Sequence, residues 1–300
     1  MLLISHADCE KHDAGPGQPE SPDRLAVLAP VLQRLQQRGH RLIQAPRVDM
    51  QACARVHSRA YLDTLEATAL CPRQLDYDTY AGEQSWTATR RAAGAAVAAV
   101  DAVLAGEASS VFCAVRPPGH HATPKTAMGF CLLNSIAIAA RHATDHHGLE
   151  RVAIFDFDVH HGNGTQDVFA NDKRVAFISS HQMPLYPGTG HPSERGVGNI
   201  TNIALTAGTD SALYRQRFER EILPTLLGFR PQLLLVSAGF DAHRSDPLSM
   251  TRLETDDYGW LSAQLHAVCS ELSIPGPIAL LEGGYDLGAL KESVEAFIEA

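Results

Sequence analysis

Short apolar runs alternate with longer amphipathic segments along the whole chain. The runs are short enough to be buried strands and are rich in Val, Ile, Leu and Phe. They lie at residues 2–4, 111–115, 152–155, 175–178, 200–205, 233–236 and 278–281. Strands that alternate with helices along a chain favour a mainly parallel sheet with helices on both faces. The pattern therefore predicts an α/β fold.

Apolar residues at three- and four-residue spacing predict helices between these strands. The segment 24–38 repeats leucine at this spacing and is followed by Gly39, a typical helix stop. The segment 84–104 is rich in alanine and is predicted to be the best-buried helix. The other predicted helices are 132–142, 212–227, 258–272 and 287–298.

Polar clusters follow five of the predicted strands. They occupy residues 116–121, 156–163, 179–181, 239–246 and 282–286. In open α/β sheets the ligand crevice lies at the carboxyl ends of the strands. We therefore expect the five clusters to converge on one site, which is a stronger signal than any single motif.

Length and composition narrow the class of protein. A chain of 300 residues with 45% hydrophobic residues can bury one large core, so one domain over residues 1–300 is expected. No apolar stretch approaches a membrane span, and the first residues lack the pattern of a signal peptide, so a cytoplasmic location is predicted. The net charge of −9 argues against binding to nucleic acid. Six scattered cysteines suggest a reduced compartment.

The segment after the run 152–155 is the most informative part of the chain. If the extended backbone persists, Asp156, Asp158 and His160 point the same way, because side chains alternate along a strand. Burying several ionisable groups is costly, and a metal or a proton relay usually compensates for that cost. A hydrogen-bonded strand end that faces water is the alternative.

A second carboxylate completes a candidate metal site. Asp158, His160 and Asp241 would supply one imidazole and two carboxylates and leave one coordination position open. Three protein ligands with an open position are typical of catalytic zinc, although this donor set also suits Fe²⁺, Co²⁺ or Mn²⁺. Taken alone, Asp241 would be better explained as a helix cap or a turn residue.

Tandem histidines follow a rigid turn at residues 116–119. His120 and His121 could lie beside a metal-bound water, one as general base and the other as an electrostatic partner. Asp156 would then fix the tautomer of one of them. A His–His pair alone is more often a surface feature, but the two prolines and the glycine before it fix where the rings point.

Aromatic residues near these clusters suggest a substrate channel. Tyr285 follows two glycines and could present its hydroxyl to a developing oxyanion, although a buried tyrosine after a turn is the simpler explanation. Phe130, after Gly129, and Tyr186 could form the walls of a narrow channel. Ordinary core packing explains either aromatic residue nearly as well.

Taken together, these strings resemble the histone deacetylase superfamily, and most closely its class II-like bacterial members. The matching strings are residues 116–122, 129–134, 156–165, 187–190, 237–247 and 282–285, with an early Pro-Glu-x-Pro-x-Arg element at 19–24. The resemblance covers nearly the whole chain. It implies an arginase/deacetylase-type fold with a central sheet of about eight strands.

The resemblance also implies an activity and roles for residues. It implies zinc-dependent hydrolysis of N-acyl amines, typically acetyl-lysine, with zinc on Asp158, His160 and Asp241. His121 is then the favoured general base and acid, beside His120, and Tyr285 polarises the acyl carbonyl. The other implied positions are channel walls at Gly129, Phe130 and Tyr186, and a structural potassium ion on main-chain oxygens of Asp156, Asp158 and His160 with Ser179.

Two positions bear on subclass and substrate. Asn163 stands where class I-like enzymes carry aspartate, so His121 should be easier to deprotonate. Leu248 stands in the channel where a polyamine-selective branch carries glutamate, which argues modestly against acetylated polyamines. A carboxylate from another loop, such as Asp13, Glu20 or Asp23, could replace that glutamate.

Other functions stay open at this point. A small N-acyl amine, including an acetylpolyamine, is the alternative substrate to a protein acyl-lysine. An acyl-lysine binding module without turnover is the non-enzymatic alternative, although such a module needs neither Tyr285 nor the tandem histidines. An arginase-type ureohydrolase would need a second Asp-rich ligand motif that the sequence lacks. The sequence sets no oligomeric state and allows a homo-oligomer.

Overall fold

A computed structural model describes residues 1–300 and contains one eight-stranded sheet in which all neighbouring strands are parallel. Its strands are β1 (Leu2–Ser5), β2 (Arg41–Gln44), β5 (Val111–Ala114), β6 (Val152–Asp156), β7 (Val175–Gln182), β8 (Ile200–Leu205), β9 (Leu233–Ala238) and β10 (Ile278–Leu281). A separate antiparallel hairpin pairs β3 (Arg73–Asp76) with β4 (Thr79–Ala81). The sheet order is β2-β1-β5-β10-β9-β6-β7-β8, so the last strand in sequence lies in the middle.

Helices cover both faces of the sheet, which confirms the predicted fold class. They are α1 (Asp23–Gln37), α2 (Met50–Ala54), α3 (Arg59–Ala67), α4 (Ser85–Leu104), α5 (Ser135–Arg141), α6 (Asn163–Phe169), α7 (Ser211–Arg217), α8 (Leu223–Phe229), α9 (Thr255–Leu272) and α10 (Leu287–Glu299). Helices α4 and α5 pack together against the central strands. On the opposite face α1, α9 and α10 pack together, and Phe297 of α10 meets Phe112 of β5.

Every predicted strand is present, but several elements differ in extent or continuity from the prediction. β7 runs to Gln182 because its pairing with β8 continues to that residue, so the polar cluster 179–181 lies inside the strand rather than after it. Helix α5 begins at Ser135 because the Asn134 side chain accepts from the backbone N–H of Ala137. The predicted helix 212–227 is divided by a π-helical segment, Phe218–Ile222.

Several elements were absent from the sequence prediction. The edge strand β2 is short and mixes two apolar residues with two polar ones, so it lacks the continuous apolar pattern of the central strands. The hairpin β3–β4 and the short helices α2 and α3 were also missed. None of the helices is both long enough and apolar enough to cross a membrane.

Candidate active site

Five neighbouring strands of the sheet bring the predicted site residues together. In the order β5, β10, β9, β6, β7 these strands lie side by side, and all run in the same direction. Their carboxyl ends therefore meet at one edge, where the loops after β5, β6, β9 and β10 begin. Residues that are far apart in sequence converge there because of this topology.

The candidate metal ligands form one buried group. His160 Nδ1 lies 3.2 Å from Asp158 Oδ1 and 3.0 Å from Asp241 Oδ2. One donor atom from each of the three residues lies within 4.8 Å of the others. All three side chains are at least nine-tenths buried.

The route to this arrangement differs from the strand alternation expected from the sequence. β6 ends at Asp156, and the backbone then turns. The Asp156 side chain accepts from the backbone N–H of Asp158 at 3.1 Å, and that of Asp158 accepts from the N–H of His160 at 2.9 Å. Asp156 therefore points to His120 and not to the ligand group, so the expectation of one shared strand face was wrong.

Backbone donors and close glycine contacts hold the two ligand carboxylates. The N–H of Gly283 donates to Asp158 Oδ2 at 2.8 Å, and the N–H of Val159 donates to Asp241 Oδ1 at 2.9 Å. A Cβ at residue 283 would lie 2.2 Å from Asp241 Oδ2, so only glycine fits there. These bonds leave carboxylate oxygens of both residues directed at His160.

The electrostatics of the group suit a cation. Burial raises the pKa of Asp241 to about 7, and the nearby Asp158 carboxylate adds to the rise. Burial also lowers the pKa of His160, but Asp158 and Asp241 outweigh it and raise that pKa to about 10. Two buried carboxylates therefore draw positive charge to this point. A divalent ion would supply that charge, and the two oxygens and one nitrogen are donors that zinc accepts.

The tandem histidines lie beside this group and have different partners. His120 Nδ1 lies 3.0 Å from Asp156 Oδ2, and its Nε2 lies 3.8 Å from Asp158 Oδ1. Burial lowers the pKa of His120, but these two carboxylates outweigh burial and raise it to about 10. His120 is therefore held as a cation next to the ligand carboxylates.

His121 is the neutral member of the pair. Its Nδ1 lies 2.8 Å from Asn163 Oδ1, while the Asn163 amide nitrogen donates to Met128 Sδ at 3.3 Å. With this amide orientation Nδ1 carries the proton, and Nε2 is free to accept one. Burial, and then the neighbouring His120, hold the pKa of His121 well below its usual value.

Tyr285 completes the site from the loop after β10. Burial holds the pKa of its hydroxyl well above the usual value, so the group stays protonated and can donate. The side chain of Asp246 accepts from the backbone N–H of Tyr285 at 2.7 Å, which fixes the start of this turn. The Arg24 guanidinium lies 5.1 Å from the centre of the Tyr285 ring.

A narrow pocket leads to these groups. It has a volume of about 190 Å³. Its lining residues are Asp78, His121, Gly129, Phe130, His160, Leu185, Tyr186, Leu248 and Tyr285. Phe130 meets Tyr285 edge to face at 5.9 Å, and Tyr186 meets His121 in the same way at 5.2 Å. All four predicted channel residues therefore line one pocket.

Three buried or rim carboxylates were given no role by the sequence. Glu282 accepts from the backbone N–H groups of Gly119 at 2.6 Å and His120 at 3.2 Å, so it fixes the histidine turn. Asp246 fixes the backbone of Tyr285 by accepting from its N–H. Asp78 lines the pocket and accepts from the N–H of Gly129 at 3.0 Å. The only signal available was that Glu282 and Asp246 lie within the predicted polar clusters 282–286 and 239–246.

The early Pro-Glu-x-Pro-x-Arg element forms a buried network behind the site. Glu20 is paired with Arg116 and lies 3.2 Å from Arg24. Arg24 Nε donates to the carbonyl of Gly284 at 2.7 Å, and Arg24 also donates to the carbonyl of Glu282. Glu20 is thus committed to two arginines and does not line the pocket, which excludes it as a substrate carboxylate. Asp13 and Asp23 do not line the pocket either.

Two residues of the implied potassium site, Asp156 and Ser179, lie on neighbouring strands, and the other two, Asp158 and His160, lie in the turn after β6. Ser179 of β7 is paired with Asp156 of β6 in the sheet register. The Ser179 hydroxyl lies 2.9 Å from His181 Nδ1.

Comparisons with known proteins agree with this geometry. The family model for the histone deacetylase domain matches residues 18–300. An uncharacterised protein of Synechocystis is 44% identical over 98% of this chain and 97% of its own length. A probable deacetylase of Archaeoglobus fulgidus is 37% identical over 96% of this chain and 82% of its own length.

Two further matches carry more specific names. A histone deacetylase-like amidohydrolase of Pseudomonas aeruginosa is 39% identical over 91% of this chain and 73% of its own length. The crystal structure of the HDA15 HD domain superposes with a TM-score of 0.93 at 34% identity, covering 99% of this chain and 87% of that one. The chain therefore belongs to the histone deacetylase family.

Proposed function

We propose that this protein is a zinc-dependent hydrolase that removes acyl groups from the side-chain amine of lysine. The observation that carries the proposal is the convergence of the group Asp158–His160–Asp241 with His121 and Tyr285 at the base of one pocket. A metal-ligand group, a neutral base and a protonated phenol are the components that acyl transfer to water requires.

Zinc would be held by Asp158, His160 and Asp241. When bound, it would bring the pKa of a coordinated water towards about 7 and polarise the acyl carbonyl. His121 Nε2 takes a proton from the attacking water, since the Nδ1 proton of that ring is committed to Asn163. The Tyr285 hydroxyl donates to the carbonyl oxygen as negative charge develops on it.

The same chain groups complete the reaction. His121 returns its proton to the amine as the C–N bond breaks, so acid and base roles use one imidazole. His120, held by Asp156, keeps positive charge beside the reacting atoms. Phe130, Tyr186 and Leu248 give the pocket apolar walls, which suit the aliphatic stem of lysine.

A small N-acyl amine is a second candidate substrate, and Asp78 favours it. Its carboxylate lines the pocket, so it could pair with a distal ammonium that Leu248 cannot. Asp78 also accepts from the backbone of Gly129, which fixes the carboxylate in place. The structural potassium ion and the cytoplasmic location stay predictions beside this proposal.

Turnover on a mixed panel tests the proposal. Zinc-reconstituted protein is assayed on acetyl-, trifluoroacetyl- and longer acyl-lysine peptides beside acetylputrescine and acetylspermidine. We expect peptide hydrolysis that a chelator abolishes and zinc restores. Tyr285→Phe should lower kcat by about 10²–10³-fold, which is the usual effect of removing one oxyanion donor.

The matched control is Tyr80→Phe, which removes a hydroxyl that does not line the pocket and should keep wild-type turnover. Preference for the polyamines, lost in Asp78→Asn, would favour the second candidate. Zinc-loaded protein that is silent on every substrate, or a Tyr285→Phe variant with wild-type kcat, would overturn the proposed mechanism.

A further inference from the structure

A second group of metal-binding side chains lies outside the candidate active site. His142, His146 and His147 follow helix α5, in and just after a π-helical segment, His142–His146. The N–H of His147 bonds to the carbonyl of His142 at 3.2 Å. Because this backbone links each residue to the fifth one along, side chains four and five residues apart share a face. We call these three residues the histidine cluster.

Helix α4 supplies a carboxylate to the cluster. Asp101 Oδ1 lies 2.7 Å from Nε2 of His142 and also 2.7 Å from Nε2 of His147. The His146 ring stacks on that of His142, with ring centres 4.7 Å apart. One ring nitrogen from each histidine lies within 4.8 Å of the others. The three imidazoles therefore lie close together, and the Asp101 carboxylate on α4 contacts two of them.

The distances between these donor atoms can be compared with the ligand–ligand distances around a bound metal ion. Tetrahedral zinc with bonds of about 2.0–2.2 Å holds its ligand atoms roughly 3.3 Å apart. The two nitrogen–oxygen contacts to Asp101, at 2.7 Å, are shorter than this, and the ring nitrogens lie within 4.8 Å of one another. Metal binding therefore requires the side chains to rotate. His146 is exposed, and the side chains of Asp101 and His147 are 51% and 29% exposed, so they have room to rotate.

One existing contact opposes metal binding. Arg55 Nη1 lies 3.3 Å from His142 Nδ1. A guanidinium only donates, so Nδ1 is the acceptor there, and Nε2 carries the proton that it donates to Asp101. A metal on Nε2 displaces that proton and places one on Nδ1, so this long contact with Arg55 must be given up.

We infer that His142, His146, His147 and Asp101 form a second transition-metal site, which links the end of α5 to α4. Imidazole-rich sets with one carboxylate suit Zn²⁺, Co²⁺, Ni²⁺ or Cu²⁺. All four coordination positions are filled by the chain, so the site is of the structural kind and has no role in turnover. The competing explanation is a hydrogen-bonded surface cluster in which Asp101 accepts from two imidazoles.

Metal stoichiometry separates the two explanations. The wild type, His146→Ala/His147→Ala and Asp158→Ala/His160→Ala are titrated with Zn²⁺ and with Co²⁺ by calorimetry, and their bound metal is counted after dialysis. We expect the wild type to bind one more equivalent than His146→Ala/His147→Ala. The Asp158→Ala/His160→Ala variant should keep this equivalent. His40→Ala, a histidine outside the cluster, is the matched control and should bind as the wild type does.

Thermal unfolding and the metal affinity of an Arg55 variant give two independent readouts. In the Asp158→Ala/His160→Ala background, added Zn²⁺ should raise Tm, and removing His146 as well should abolish the rise. Arg55→Ala should tighten binding at the cluster by about 10-fold, the scale of effect of a group that contacts a ligand. The inference would be overturned by equal metal content in the wild type and in His146→Ala/His147→Ala, together with a Zn²⁺-induced change in Tm that is the same with and without His146.

Discussion

Gly129 lies where the pocket wall and the proposed base meet. Its φ of +55° is in the left-handed region, and a Cβ there would lie 2.3 Å from Cδ2 of His121. The backbone strain and the steric clash therefore act at one residue. The next residue, Phe130, has a φ of +65°, so the chain holds two left-handed residues in succession to present this aromatic wall.

Gly129→Ala should impair catalysis more than stability. The left-handed backbone costs alanine about 1–2 kcal/mol, and the new methyl group displaces the His121 ring. A misplacement of about 1 Å can lower a rate by about 10²-fold, so we expect a loss of kcat of that order. The measurements are kcat on the best panel substrate and Tm.

Gly17→Ala is the matched control for this prediction. Gly17 has a φ of +76°, but a Cβ there meets nothing within 4 Å. It should therefore lose stability to a similar degree and keep its kcat. Equal effects of the two substitutions on kcat would show that the contact with His121 is unimportant.

The sequence identified which residues belong to the candidate site better than it identified their hydrogen-bond partners. The strings around His120, Asp158 and Tyr285 marked the candidates correctly as neighbours in one site. Strand alternation nevertheless failed for Asp156, because its own side chain bonds the turn that ends β6. Such a local side-chain bond to the backbone depends on where the strand stops, which periodicity does not specify.

Buried carboxylates connect the loops that follow the strands. Asp246, in the loop after β9, accepts from the N–H of Tyr285 and, through its other oxygen, from the N–H of Leu248 at 3.0 Å. One side chain therefore fixes a wall of the pocket and the proposed oxyanion donor. The loops after β9 and β10 behave as one unit for this reason.

Asp246→Ala should lower kcat by about 10–100-fold, since it leaves these backbone donors without their partner and frees the Tyr285 turn. Asp246→Asn keeps one acceptor oxygen and should fall between the alanine variant and the wild type. The order of the three kcat values is the measurement.

Asp210→Ala is the matched control, because it removes a carboxylate that accepts from a backbone N–H outside the pocket. The Asp210 side chain accepts from the N–H of Leu213 at 3.0 Å and caps α7, away from the pocket. Its loss should lower Tm without changing kcat. An Asp246→Ala variant that turns over like the wild type would exclude the positioning role.

Elements with strong patterns could be predicted, and elements stabilised by partners could not. The central strands are continuous apolar runs because they are buried on both faces. The last residues of β7 are Ser-Ser-His-Gln, which read as a loop, yet pairing with β8 keeps them extended. Tertiary pairing thus outweighed local preference there. The hairpin β3–β4 was not predicted either. Asp78, in the turn of this hairpin, lines the pocket and was missed with it.

The network around Glu20 joins distant parts of the molecule. Glu20 precedes α1, Arg116 follows β5, and Arg24 reaches the carbonyls after β10. His12, from the N-terminal segment, lies 3.3 Å from the same carboxylate. All these groups are buried, so the charges are compensated only by one another.

Glu20→Ala should destabilise the fold by about 3–5 kcal/mol, because it leaves two arginines buried without their counter-charge. Glu20→Gln should cost less, since it keeps the shape and part of the hydrogen bonding. Urea unfolding at pH 7 measures both variants. Glu10→Gln, at an exposed position, is the control and should change little.

The stability difference between the wild type and Glu20→Gln should depend on pH. Burial raises the pKa of Glu20, but Arg116 and His12 outweigh burial and hold it well below the usual range. A pKa that is lower in the folded chain than in the unfolded one, about 4.3, stabilises above that value and less as the pH falls. The difference should therefore be widest near pH 7 and narrow below about pH 4. A difference that does not change with pH would contradict this account.

The position of β10 in the sheet has a consequence for synthesis of the chain. Of the eight strands of the sheet, β10 is the last to leave the ribosome, yet it fills the gap between β5 and β9. Until residues 278–281 emerge, β5 and β9 each present an unpaired inner edge, and unpaired strand edges promote aggregation. Nascent chains shorter than this should thus depend on chaperones, and the proposed metal ligands should bind an ion only after β10 has emerged.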